Sequence, residues 1–137
     1  YNKKGIEITS VRVKLEPKTH NQEIFRILPS TGQLYLGSFP VNLNPLKIGQ
    51  PIKFINRVLD IDIKTNIIYG NHIEKNGEES LVLIDSNSNR ILGVYKIEKN
   101  DVIPSNCYFN IKEGVYFLTD MTNAKVYLFS IPSLEKF

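Results

Sequence analysis

The stretch from Arg57 to Ile97 places four short apolar runs in succession, each closed by turn chemistry, and that pattern leaves little room for anything but antiparallel strands. Leu59, Ile61 and Ile63 alternate with Asp60 and Asp62, Lys64 to Asn66 is polar, and Ile67 to Tyr69 opens a second run. Asn76-Gly77 is a two-residue hairpin signal. Leu81 to Ile84 is a third strand, and the cluster from Asp85 to Asn89 should reverse the chain before a fourth, Ile91 to Ile97. No segment carries a sustained helical period with caps at both ends, so the expected class is all-β.

The flanking chain resembles partial copies of this unit. Gly5 to Leu15 alternates with a slip at Thr9-Ser10 that suggests a bulge or two short strands. Ile24 to Leu28 and Leu34 to Phe39 form a hairpin around Pro29-Ser30-Thr31-Gly32. Val41 to Pro51, with Pro45, Gly49 and Pro51, is expected to be an irregular crossing segment, and Glu98 to Ser105 a second one. Cys107 to Ile111, Val115 to Asp120 and Val126 to Ile131 complete the strands. Ile61, Ile63, Ile67, Leu81, Leu83, Ile91, Phe109, Ile111, Val115, Phe117, Val126 and Leu128 are the expected buried set.

Two offsets relate the copies. Ile24 to Gly32 falls on Leu81 to Asn89 at 57 residues, and Ile61 to Ile67 falls on Phe109 to Val115 at 48. Tyr127 to Phe137 repeats the strand and Pro-Ser turn of Phe25 to Leu34. Spacings of this size with four strands per unit suit the blades of a β-propeller. The phrases IFRILPSTGQLYLGSF, LVLIDSNSNRILGVY and VYLFSIPSLEKF resemble the later strands of WD-repeat blades, and GVYFLTDMTNAKVYLFSI resembles NHL-type blades. The Trp-Asp and Gly-His pairs of a regular WD repeat are missing. The expectation is one all-β unit over 1–137, built as a partial blade (1–40), a complete blade (52–97) and a second partial blade (106–137). A β-trefoil is the alternative, disfavoured by the uneven offsets. Since about four blades or more are needed to close a ring, a protein partner or the remainder of the same propeller is expected to complete the array.

Composition narrows function by exclusion. Net charge is +3, with eight basic and three acidic side chains in residues 1 to 53 and nine and eleven thereafter. Lys3, Lys4, Arg12, Lys14 and Lys18 are therefore candidate partner-binding residues for phosphate or an acidic protein, although a solvated strand face explains them equally well. Aromatic residues are not interleaved with them for base stacking, which argues against nucleic acid. The single cysteine, Cys107, excludes an internal disulfide framework and reads as a structural thiol. No Asn-x-Ser/Thr acceptor occurs, which tilts the compartment toward the cell interior. No apolar run is long enough to span a bilayer as a helix.

Catalytic signatures are missing: no Gly-x-Ser-x-Gly elbow, no phosphate-binding glycine loop, and two histidines, His20 and His72, far apart in sequence. Asp60 and Asp62, two apart on one strand, and Asn110, which aligns with Asp62, form the one candidate metal set. They are oxygen ligands suited to Ca²⁺, as the resemblance to NHL-like propeller lactonases implies. The ordinary alternative is polar residues on a solvated channel wall. The expected function is a non-catalytic protein-protein interaction scaffold. The alternatives are a lactonase-like propeller binding a small molecule or calcium, and a trefoil binding carbohydrate or a receptor.

Overall fold

The computed structural model describes residues 25–97, 106–120 and 124–131, the side chains of 106, 107 and 118–120 excepted. The strands expected between Gly5 and Leu15, the basic residues Lys3, Lys4, Arg12, Lys14 and Lys18, and the Cys107 side chain lie outside that description.

Eleven strands run through the described residues, with no helix among them: β1 (Phe25–Ile27), β2 (Leu34–Leu36), β3 (Phe39–Leu43), β4 (Leu46–Ile48), β5 (Arg57–Asp62), β6 (Ile67–Ile73), β7 (Glu79–Asp85), β8 (Ile91–Ile97), β9 (Asn106–Asn110), β10 (Val115–Asp120) and β11 (Lys125–Ser130). They form three antiparallel sheets in chain order: a first of β1-β2-β3-β4, a middle of β5-β6-β7-β8 and a last of β9-β10-β11. Each strand pairs only with its sequence neighbours. The described strands therefore do not make the threefold barrel of the trefoil alternative.

The turns explain the repeat in backbone terms. Leu28 N–H donates to Gln33 O (2.9 Å) and Gly32 N–H to Leu28 O (2.8 Å); 57 residues on, Asp85 N–H donates to Arg90 O (2.8 Å) and Asn89 N–H to Asp85 O (2.8 Å). Gly32 and Asn89 both take positive φ, 72° and 58°. At the offset of 48, Asn66 (58°) and Gly114 (68°) hold the same place in the turns framed by Asp62 and Ile67 and by Asn110 and Val115. Only glycine and asparagine enter this backbone region at little cost, so their recurrence at the fifth position of the turn is a physical requirement. The β10–β11 turn, framed by Asp120 and Lys125, has Ala124 there at φ 51°. An alanine in that region costs about 1–2 kcal/mol, so Ala124→Gly is expected to raise the unfolding free energy by about 1 kcal/mol, read from urea midpoints.

Two local expectations change. Val41 to Pro51 is not wholly irregular: β3 and β4 form a hairpin around a cis Asn44-Pro45 bond. Pro40 fits within β3 opposite Tyr35, and its carbonyl accepts from Gly49 N–H at 2.8 Å. At the β6–β7 hairpin, Glu74 N–H donates to Glu78 O (2.8 Å), so the loop has three residues, Lys75 to Gly77, with only Gly77 at positive φ.

The middle sheet is covered on both faces. Leu28, Tyr35, Ile55, Val58, Ile68, Val82 and Ile84 form the core toward the first sheet. Leu59, Ile67, Tyr69, Leu81, Leu83, Ile97, Phe109 and Tyr116 form the core toward the last, with Tyr127 and Phe129 packed against it. That is why β6 and β7 read as nearly continuous apolar runs: alternate residues serve opposite cores. The second core is aromatic, with ring centroids of Tyr69 and Phe109 5.4 Å apart, and Phe109 and Tyr116 5.7 Å apart and edge-on.

Of the expected buried set, Ile67, Leu81, Leu83 and Phe109 are buried, and Ile61, Ile111, Val115 and Phe117 are half-buried. Ile63, Ile91, Val126 and Leu128 are exposed, a correction with separate causes. Ile63 lies just beyond β5 in its turn, and a register irregularity at Leu83/Ile84 changes the phase where Ile91 begins β8. In β11 the stacked pair Tyr127 and Phe129 turns inward, so Val126 and Leu128 turn out.

Candidate functional site

Three turns, one from each sheet, meet around an open cleft of about 520 Å³. Pro29 and Ser30 come from the β1–β2 turn; Asp60, Asp62, Ile63 and Lys64 from the end of β5 and its turn; Asn110, Ile111 and Lys112 from the β9–β10 turn. The fold thus brings Asp60, Asp62 and Asn110, which strand spacing and alignment had linked, to one place.

Four of their five side-chain oxygens are already engaged. Asp60 is almost fully buried; its Oδ2 accepts from the Ser30 hydroxyl at 2.6 Å, and its Oδ1 from Ile61 N–H at 2.9 Å and Ser30 N–H at 3.3 Å. It fastens the first sheet's turn to the middle sheet. Asp62 Oδ1 accepts from Lys64 N–H at 3.0 Å, and Asn110 Oδ1 from Glu113 N–H at 3.0 Å while its amide donates to the Tyr108 hydroxyl at 2.9 Å. Asp85 does the same in the β7–β8 turn, taking Asn87 N–H at 2.9 Å, and that bond holds its carboxyl below the ordinary value of 3.8. Aspartate and asparagine at the first turn position are therefore explained by turn formation.

The cleft carries mixed charge. Lys64 and Lys112 occupy equivalent turn positions, 48 apart, and both line it beside the two aspartates. Burial, and then the Asp62 charge, pushes the Tyr69 hydroxyl above its usual range. Among the described residues no group of three His, Cys, Asp or Glu side chains is placed to hold a metal ion. His72 lies elsewhere, with Nε2 3.1 Å from Glu74 Oε1 in an exposed pair.

The second candidate is a surface. On the side of the last sheet away from the middle sheet, Tyr108, Phe117 and Leu128 stand opposite one another across three strands. Tyr108 and Phe117 rings are 5.9 Å apart, and Val126 lies beside Leu128 two residues along. Tyr108, Val126 and Leu128 are 49%, 65% and 60% exposed. Phe117, Val126 and Leu128, expected inside, thus form with Tyr108 a contiguous apolar patch, of the kind that marks an interaction surface. Sequence periodicity could not separate the two faces of this sheet because both are apolar.

No helix of the described residues is long and apolar enough to cross a membrane. No protein-family model, curated protein or solved structure matches the chain.

Proposed function

We propose that this chain is a non-catalytic protein-protein interaction scaffold, its three sheets being consecutive members of a propeller-type array of the WD-like or NHL-like kind. The observation that carries the reading is the open apolar face of the last sheet, centred on Phe117 and Leu128. Sequential four-stranded and three-stranded meanders, stacked face on face and with equivalent turns between strands inside them, support the architecture. A patch built on paired strands is rigid, so it presents a fixed surface to a partner at small entropic cost.

At submicromolar concentration the wild-type chain is expected to bind an environment-sensitive hydrophobic dye. The double substitution Val126→Asp, Leu128→Asp should abolish most of that binding while costing no more than about 0.5 kcal/mol per site, since both side chains are exposed. A loss of several kcal/mol instead would mean that the face is internal packing, and the docking reading would fail.

The convergence of Asp60, Asp62 and Asn110 favours one second reading, a Ca²⁺ site in the cleft. Calcium titration with a thermal-shift readout separates the two. A rise in melting temperature that Asp62→Ala removes carries the calcium reading; no response leaves the scaffold.

A further inference from the structure

Beyond the docking surface, we propose that the cleft of the three turns binds a zwitterionic apolar ligand: an apolar α-amino acid, or a short apolar peptide with both ends free. The cleft is built from equivalent parts. It takes the second and third positions of the first turn of each successive sheet, Pro29-Ser30, Ile63-Lys64 and Ile111-Lys112. Turn formation explains the first and fifth positions, where Asp62 and Asn110 hold backbone N–H groups and Gly32, Asn66 and Gly114 take positive φ. It does not explain an isoleucine followed by a lysine in two turns 48 residues apart. Ile63 belongs to neither core and stays 67% exposed where it lines the cleft.

The polar atoms left open select the ligand. Asp60 is almost fully buried with both oxygens occupied, and Asn110 has its carbonyl and its amide engaged. Among the described residues, Asp62 Oδ2 and the ammonium groups of Lys64 and Lys112 have no hydrogen-bond or ion-pair partner. The cleft therefore offers one open carboxylate oxygen, two open ammonium groups and the apolar surface of Pro29, Ile63 and Ile111. A simple anion drawn to the lysines would meet the Asp62 charge, and a simple cation drawn to Asp62 would meet two ammonium groups. A zwitterion satisfies both signs: its carboxylate goes to Lys64 and Lys112, its ammonium to Asp62 and its apolar side chain to the isoleucines. The volume, about 520 Å³, falls within the range of small-molecule sites, about 300–1,000 Å³. Backbone hydrogen bonds close the turns and Ser30 is fastened to Asp60, so the walls are set before a ligand arrives.

NMR titration of the chain with leucine and with the dipeptide Leu-Leu, both in EDTA, is expected to show binding with a dissociation constant on the order of 0.1–1 mM for at least one of them. The better binder tells whether the cleft takes a single amino acid or a peptide. Its N-acetyl derivative, which lacks the ammonium, and its amide, which lacks the carboxylate, should each bind about three- to tenfold more weakly. Lys64→Gln and Lys112→Gln, each confirmed folded by circular dichroism, should weaken the free ligand by about the same factor. Asp62→Asn keeps an oxygen for the Lys64 N–H and removes the charge. It should weaken the free ligand while leaving the N-acetyl derivative unchanged, a split that a loosened turn does not produce. A capped ligand that binds as tightly as the free one overturns the zwitterion. Unchanged affinity in both lysine variants overturns the site, as does the lack of any response up to about 10 mM. A response that appears only when calcium replaces EDTA overturns the proposal in favour of the metal. All of these failures leave the open face of the last sheet to its own test, dye binding.

Discussion

Tyr116→Ala is expected to lower the unfolding free energy by about 3–5 kcal/mol, the usual cost of deleting a buried aromatic ring. Tyr116 is 1% exposed and sits where the aromatic cluster joins the middle and last sheets, with Phe109 and Phe129 ring centroids at 5.7 and 6.3 Å. Against a total stability of about 5–15 kcal/mol, such a loss should lower the melting temperature by roughly 10–20 °C. The hydroxyl adds a separate contribution, since it donates to Glu79 Oε2 at 2.8 Å across the sheet junction, and Glu79 is fully buried. Beside it, Asn71 accepts from Arg57 Nε (3.0 Å) and Nη2 (3.2 Å) in the amide orientation that satisfies both groups. Tyr116→Phe keeps the ring and removes this donor from a buried carboxylate, so it should cost about 1–3 kcal/mol. Combining Tyr116→Phe with Glu79→Gln should cost less than the sum of the two, as a double-mutant cycle in urea would read. Additive losses would show that the hydroxyl and the carboxylate do not act on each other.

How far the sequence could be read follows from these same positions. The turns were legible because a backbone at positive φ accepts few residue types, so Gly32, Asn66, Asn89 and Gly114 announce themselves. The middle sheet was legible because burial on both sides writes apolar runs such as Ile67 to Tyr69 and Leu81 to Ile84. The β3–β4 hairpin was not, since Pro45, Gly49 and Pro51 read as strand breakers, whereas Pro45 sits in the turn between the two strands and Gly49 and Pro51 lie beyond β4. The Glu79 and Tyr116 pair was also hidden: Glu79 looks like an ordinary charged residue after a turn, and its partner lies 37 residues away. The cleft was half legible. Alternation and the offset of 48 gathered Asp62 with Asn110, but no local pattern could reveal that Ser30 claims Asp60 from another sheet.

That claim gives the sharpest contrast between neighbours in the chain. Asp60→Ala is expected to cost about 2–4 kcal/mol, whereas Asp62→Ala, two residues on, should cost no more than about 1 kcal/mol. Asp60 is 1% exposed and receives the Ser30 hydroxyl, the Ser30 N–H and the Ile61 N–H, so its removal leaves part-buried donors facing a hole where a charge had been. Asp62 holds one backbone N–H of an exposed turn, a bond that water replaces with little loss. Ser30→Ala should cost about 1 kcal/mol in the wild type and almost nothing once Asp60 is already alanine, because the two share one bond. Asp60→Asn should fall between, since its amide oxygen still accepts from the backbone and the Ser30 hydroxyl rotates to meet the new NH₂. Urea unfolding of the wild type and the five variants, each measured without added calcium, decides the matter. Equal, small losses at 60 and 62 would mean that the Ser30 contact contributes nothing and that both carboxylates are free to serve a ligand. The expected inequality makes Asp60 the fastener between the first and middle sheets, and it leaves Asp62 as the residue whose loss can report on calcium without loosening the fold.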